Sequence, residues 1–220
     1  QTCALPISFF WTQALGALND NIFKNALAAL LVFQGSRLAG LNTDQLVNLS
    51  ALVFILPFFL FSALFGQFAD KFEKSRQIRR IKAFEVVIMA TATLGFWVNS
   101  LPILLAVLFL LGFQSTTFGP IKYGILPQVL KRRELVGGNA LVEMGTFVAI
   151  LAGTIAGPQL AGIDQDWPIA VSGAALAVAI IGYLCSRAIP EAQAVDPELK
   201  INWNIFTETI GNIRFINQSP

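Results

Sequence analysis

Six long runs with almost no charge dominate this sequence, and they decide what it can fold into. They extend from about Phe9 to Phe33, Leu46 to Ala69, Ile81 to Val98, Leu101 to Leu126, Leu135 to Leu160 and Pro168 to Ile189. Each approaches the roughly 20 residues needed to cross a hydrocarbon core of about 30 Å. Backbone N–H and C=O groups in lipid must pair within their own segment, so each run is predicted to be a helix. Composition agrees: 55% of the chain is apolar, 13% is charged, and the mean hydropathy is +0.65. A soluble domain carries about 25% charged residues.

Several function classes drop out early. Histidine is absent and the only cysteines, Cys3 and Cys185, lie far apart. No disulfide framework, metal site or cofactor is therefore expected. A net charge of +2 gives no reason to expect a nucleic-acid partner. The position of the positive charge is more informative. Lys71, Lys74, Arg76, Arg79, Arg80 and Lys82 fall between runs two and three, and Lys131, Arg132 and Arg133 between runs four and five. The alternate connections hold only Arg37 among the basic residues. The positive-inside rule then puts both ends of the bundle in the cytoplasm of a multi-pass membrane protein.

Three divisions of the chain are expected. Residues 1–8 (QTCALPIS) join badly to the first run and read as a sequencing adapter translated in frame. Residues 9–189 form the six-helix bundle. Residues 190–220 are polar with spaced apolar residues, and read as a truncated cytoplasmic central loop that suits a surface-lying amphipathic helix from Asn204 onward.

The polar residues inside the runs point to transport. The first run contains Gln13, Asn19, Asp20, Asn21, Lys24 and Asn25. A charge at mid-membrane costs about 2.5–3.5 kcal/mol even on insertion scales, so this stripe must face a cavity or other helices. Asp20 and Lys24 are four apart, share a helix face and are placed to neutralise one another. Lys122, beside Gly119-Pro120, either snorkels to the surface or turns inward toward Asp20 or an anionic headgroup. Glu143 and Glu85 lie one or two turns from a basic connection, where capping or local ion pairing is expected. In the fifth run, Gly145, Ala149, Gly153 and Gly157 recur every four residues, a small-residue face that lets two backbones approach closely.

Two local motifs and four longer stretches carry a family resemblance. Gly66-Gln-Phe-Ala-Asp70-Lys71, followed by Lys74 and Arg76, resembles the signature loop of the major facilitator superfamily, with Glu73 where that family usually has glycine. Gly153-Thr-Ile-Ala-Gly157-Pro158 resembles its fifth-helix motif. FFWTQALGALNDNIFKNAL, GQFADKFEKSRQIRRIKAFE, FGPIKYGILPQ and ELVGGNALVEMGTF look like the lysophospholipid transporter branch, most of all the transporter domain that some bacteria fuse to an acyltransferase and an acyl-carrier-protein ligase.

The resemblance implies an all-α membrane fold, the six-transmembrane-helix N-terminal half of a twelve-helix transporter whose C-terminal half is missing here. It implies no enzyme activity in this segment. The substrate would be a lysophospholipid such as lysophosphatidylethanolamine, flipped toward the cytoplasmic leaflet, with an acyltransferase as fused domain or partner. Asp20, Asn21, Lys24, Lys122 and Glu143 would bind headgroup or gate. Gly66, Asp70, Lys71, Lys74 and Arg76 would form a cytoplasmic latch, with Gly66 permitting close helix approach. Gly145, Gly153, Gly157 and Pro158 would pack helices. Two alternatives stay open: a proton-coupled drug or metabolite antiporter, and the membrane domain of a fused lysophospholipid acyltransferase.

Overall fold

The computed structural model describes residues 7–39, 42–162 and 167–204. These form six α-helices: α1 (Ile7–Ala39), α2 (Thr43–Lys71), α3 (Lys74–Trp97), α4 (Leu101–Val129), α5 (Leu135–Ala161) and α6 (Trp167–Arg187), with a 3-10 turn at Arg132–Glu134 before α5. Among the described residues there is no strand. Residues 205–220, which hold most of the expected amphipathic helix, lie outside the described residues. So do residues 1–6, whereas Ile7 and Ser8 begin α1, and the Ser8 hydroxyl donates to the Ala188 carbonyl at 3.2 Å.

Four helices are long and apolar enough to cross a membrane by length and composition: α2, α4, α5 together with its 3-10 turn, and α6. α1 and α3 carry more charge, and in α3 Lys74, Lys82 and Glu85 are buried inside the bundle while Arg76 and Arg80 stay exposed. α3 starts seven residues earlier than its apolar run, so Lys74 to Lys82 are helical and only Phe72 and Glu73 remain as a turn. Glu73 explains the early start. Its carboxylate caps α3 by accepting from the Ser75 and Arg76 amides at 2.9 and 2.7 Å. At the other end of α3 the chain turns through Asn99 at φ 48°, a left-handed conformation that asparagine tolerates. α4 runs unbroken through Pro120 and Pro127.

The packing has a hidden symmetry. α1 pairs most extensively with α5, α2 with α4, and α3 with α6, while α1–α6 and α3–α4 are the next broadest contacts. Exchanging α1 with α4, α2 with α5 and α3 with α6 maps α1–α5 onto α2–α4 and α1–α6 onto α3–α4, and leaves the α3–α6 pair in place. Short connections make successive helices antiparallel, so a shift of three helices also reverses direction. This is the three-plus-three inverted repeat of transporter folds, which identity between the two halves of the sequence is too weak to show.

Glycine sets the closest approaches. A Cβ on Gly153 would stand 2.7 Å from the Leu18 carbonyl oxygen, and one on Gly157 2.6 Å from that of Ile22, so α5 lies directly on the α1 backbone. At Gly145 the neighbour is the Phe10 ring. In the symmetry-related pair, a Cβ on Gly112 of α4 would sit 2.1 Å from the Phe54 carbonyl oxygen of α2. Gly66 behaves otherwise: a Cβ there meets nothing within 4 Å, so no close approach among the described residues requires it. The sequence expectation for Gly66 is corrected on this point.

Two apolar clusters fill the interior. One holds Phe23, Leu27, Leu31, Met89, Phe96, Leu104 and Leu111, and the other Phe9, Ile78, Ile81, Ile121, Ile125 and Val142. Along α1, α3 and α4 they are separated by one polar layer around Asn19, Glu85 and Gln114. Gly112→Ala is expected to force α2 and α4 apart and destabilise the protein by about 1–3 kcal/mol. Gly66→Ala is expected to be near neutral. Thermal unfolding of the two purified full-length variants checks the contrast.

Candidate functional site

The polar layer borders a cavity of about 430 Å³. α1 contributes Gln13, Gly16, Ala17, Asp20, Asn21 and Lys24, and α2 contributes Phe54 and Phe58. Gln114, Ser115, Phe118, Lys122 and Tyr123 come from α4, Thr146 and Ile150 from α5, and Lys82 from α3. Gln13, Asp20, Asn21 and Lys24 of the α1 stripe thus face this cavity, while Asn19 turns to Glu85 and Asn25 to Thr154. Of the phenylalanines in α2, Phe54 and Phe58 reach the cavity, Phe59 is 77% exposed, and Phe61 and Phe65 pack edge-on against Phe113.

Two ion-paired networks hold the wall. In the first, Lys82 and Glu85 are each 1% exposed and stand 2.6 Å apart. The Asn19 amide donates to Glu85 Oε1 at 2.9 Å and the Gln114 amide to Oε2 at 3.0 Å. α1, α3 and α4 are thereby tied through one carboxylate. Gly16 makes room for this: a Cβ there would lie 2.4 Å from the Lys82 ammonium. In the second, Lys122 donates to Thr146 Oγ1 and pairs with Glu143, both at 2.9 Å. Tyr123 donates to the same Glu143 carboxylate at 2.7 Å, and Thr146 contacts the Gln13 side-chain carbonyl at 2.8 Å. This network joins α4, α5 and α1.

Asp20 and Lys24 make no ion pair, and Asp20 reaches the first network through Ser115, whose hydroxyl also contacts Gln114 Oε1 at 3.3 Å. Ser115 donates its hydroxyl to Asp20 Oδ2 at 2.5 Å, and the buried Oδ1 has no partner among the described residues. The Lys24 ammonium lies over the Phe54 ring, 5.0 Å from its centroid. Asn21 and Asn25 turn their amides onto the α1 carbonyls one turn back, at 2.8 Å each.

Several expectations change here. Asp20 and Lys24 do not form an ion pair, because four residues along a helix bring their Cβ atoms near but the Lys24 side chain turns to the Phe54 ring. Lys122 turns inward, yet its carboxylate partner is Glu143 on the adjacent α5 and not Asp20. Glu143 serves that pair rather than a basic connection. Lys82, assigned by the sequence reading to a basic connection, is buried at the cavity wall. Its i, i+3 spacing from Glu85, within an otherwise apolar stretch, was the available signal.

The α2–α3 turn is bound by the segment after α6. The Asp70 carbonyl accepts from the Val195 and Asp196 amides at 2.9 and 3.1 Å, and the Lys74 amide donates to the Ala192 carbonyl at 2.9 Å. Glu73 also accepts from the Ala192 amide at 2.9 Å. Burial pushes the Glu73 carboxyl up, but the hydrogen bonds from Ser75, Ala192 and Arg76 outweigh it and hold the group below the usual range. Lys74 is fully buried, Arg76 is exposed and 3.7 Å from Glu73, and Lys71 lies over the Phe72 ring. Pro158 sits within α5, one residue beyond Gly157.

The sequence profile of the Major Facilitator Superfamily matches residues 9–212, nearly the whole chain. The chain belongs to that superfamily. It is also similar to the lysophospholipid transporter LplT of Escherichia coli K12 (strain DH10B) and of Escherichia coli O7:K1 (strain IAI39). In each case identity is 32% over 198 residues, covering 90% of this chain and 45% of the relative. The chain therefore spans a little under half the length of the curated relatives it matches. Membership and the apolar helices make it part of a multi-pass membrane protein.

Within this superfamily fold, Lys82 and Glu85 form a buried pair whose partners cannot be removed singly without cost. Lys82→Met strands the Glu85 charge and is expected to destabilise by about 3–5 kcal/mol. Adding Glu85→Leu is expected to recover most of that loss. Unfolding of the full-length single and double variants in detergent checks both.

Proposed function

We propose that the full-length protein is an alternating-access transporter that carries lysophospholipid, such as lysophosphatidylethanolamine, across the inner membrane toward the cytoplasmic leaflet. The observation that carries this reading is one cavity with both signs of charge and aromatic rings on its wall, in a chain similar to lysophospholipid transporters. A lysophospholipid needs the same combination: polar contacts for its headgroup and an apolar surface for its single acyl chain. Asp20, Asn21 and Lys24 supply polar groups on α1, and Phe54 and Phe58 supply apolar surface on α2.

In this reading Lys122 and Glu143 act as the gating brace between α4 and α5, and the α2–α3 turn with Asp70 as the cytoplasmic latch. The positive-inside bias places that turn, and both ends of the segment, in the cytoplasm. The site is completed by a second six-helix half, and the product reaches an acyltransferase, fused or separate, that restores the missing chain.

The test is inward flipping of labelled lysophosphatidylethanolamine in spheroplasts expressing the full-length gene. Wild type is expected to flip it well above an empty-vector control. Lys122→Ala, which cuts the α4–α5 brace, is expected to lower the rate about tenfold or more at normal membrane abundance. Background rates from wild type, with uptake of an unrelated drug in exchange for protons, would support the antiporter instead.

A further inference from the structure

Residues 188–204 follow α6 and have no helix of their own, yet they bond in turn to α3, α4 and α2. They cross the end of the bundle where α2, α4 and α6 finish and α3 begins. The Ile189 carbonyl accepts from Arg79 Nη2 at 3.0 Å, and the Gln193 carbonyl from Gln128 Nε2 of α4 at 3.0 Å. Lys74, fully buried, reaches the same Gln193 carbonyl with its ammonium at 3.5 Å. Farther on, the Asn202 amide donates to Gln67 Oε1 at 2.8 Å, and Gln67 Nε2 donates back to the Asn202 carbonyl at 3.4 Å. The Trp203 ring stands edge-on to Phe68, with centroids 6.0 Å apart. Ile189 and Ala192 are 1% and 2% exposed, as deeply buried as residues of the helix core.

We propose that residues 188–204 are a strap that ties the end of α2 to α3, α4 and α6, with Glu73 as the positioning residue that fastens it. The consequence for transport rests on the transporter reading above; the strap itself does not.

The packing explains why a tie belongs there. α2 packs on α4 and α3 on α6, but α2 and α3 share no broad contact, although only Phe72 and Glu73 separate them. Without a further link, those two residues would be a hinge between the α2–α4 and α3–α6 pairs. The strap leaves α6 and reaches α2 at Gln67, Phe68 and Asp70, which closes the gap. Glu73 joins the two sides. Its Oε1 accepts from the Ser75 amide at 2.9 Å, the Ser75 hydroxyl at 2.5 Å and the Ala192 amide at 2.9 Å, while Oε2 takes the Arg76 amide at 2.7 Å. Hydrogen bonds to an ionised acceptor are stronger than neutral ones. The other fastenings at the turn, through the Asp70 carbonyl and the Lys74 amide, are main chain and set the register of the strap.

On the transporter reading, the α2–α3 turn is a latch that engages and releases in each cycle. A strapped turn moves as one block with the ends of α4 and α6, so the latch follows the whole half. A released turn lets α2 shift without α3, and the cycle slows.

Hydrogen–deuterium exchange of the full-length protein in detergent, followed at Ala192, Val195 and Asp196, reads the strap directly. These amides donate to Glu73 and to the Asp70 carbonyl, and are expected to be protected in wild type. Glu73→Ser keeps an N-cap for α3 but is too short to reach Ala192. It is expected to speed exchange at these amides about tenfold and to leave the thermal midpoint near wild type. Flipping of lysophosphatidylethanolamine in proteoliposomes is expected to fall about fivefold. Glu73→Gln, which keeps an oxygen within reach of the Ala192 amide, is expected to restore most of both protection and flipping. The proposal is overturned if the wild-type amides exchange as freely as unstructured chain, if Glu73→Ser leaves their exchange unchanged, or if it frees them while flipping stays at the wild-type rate. Failure of wild type to flip the lipid would remove the transporter reading, and exchange alone would then decide the strap.

Discussion

Charge placed within hydrocarbon must find a partner or a polar cavity, and α1 concentrates that demand. Gln13, Asn19, Asp20, Asn21, Lys24 and Asn25 occupy little more than three turns of one helix. Such a helix cannot lie against lipid, and α5, α6, α2 and α4 pack around it. α5 covers one face through glycines that admit its backbone, α6 a second, and α2 and α4 complete the cavity. α3 stays on the periphery yet sends Lys82 past Gly16 to the same layer. The apolar clusters then sit on either side of this layer rather than forming one continuous core.

The same constraint separates structural charge from available charge. Glu85 receives three donors from three helices, and Lys122 and Glu143 hold α4 against α5. These pairs convert a desolvation cost into cross-links between specific helices, consistent with the registry role of buried polar groups. Asp20 and Lys24 make no such cross-link between charges. They share α1, and their side chains turn to Ser115 and Phe54 instead of to each other.

Much of the fold was legible from sequence because hydropathy is local. The runs in α2, α4, α5 and α6 match their helices to within a few residues, and the four-residue glycine spacing in α5 marked the face that meets α1. What was not legible depended on partners distant in the chain. The early start of α3 came from Glu73, whose carboxylate both caps the helix and holds Ala192, more than a hundred residues away. Lys82 looked like loop charge because its neighbours Arg79 and Arg80 are basic, and only the bundle shows it turned inward. Lys122 had two acids to choose from, and the proximity of α4 to α5 selected Glu143. Gly112 carries no motif at all, and its role appears only in the inverted repeat, as the α4 counterpart of the α5 glycines.

On the proposed function, the polar face of α1 lines the cavity that takes up lysophospholipid. Cysteine accessibility tests this most directly. In a full-length background lacking Cys3 and Cys185, Ala17→Cys and Asn21→Cys would be treated with a membrane-impermeant thiol reagent, with Phe59→Cys as a lipid-facing control. Both α1 positions are expected to react and Phe59→Cys not to, and lysophosphatidylethanolamine is expected to slow the reaction at Asn21→Cys about tenfold near saturation. Unreactive α1 positions beside a reactive Phe59→Cys, or reaction at Asn21→Cys that ignores the lipid, would contradict it.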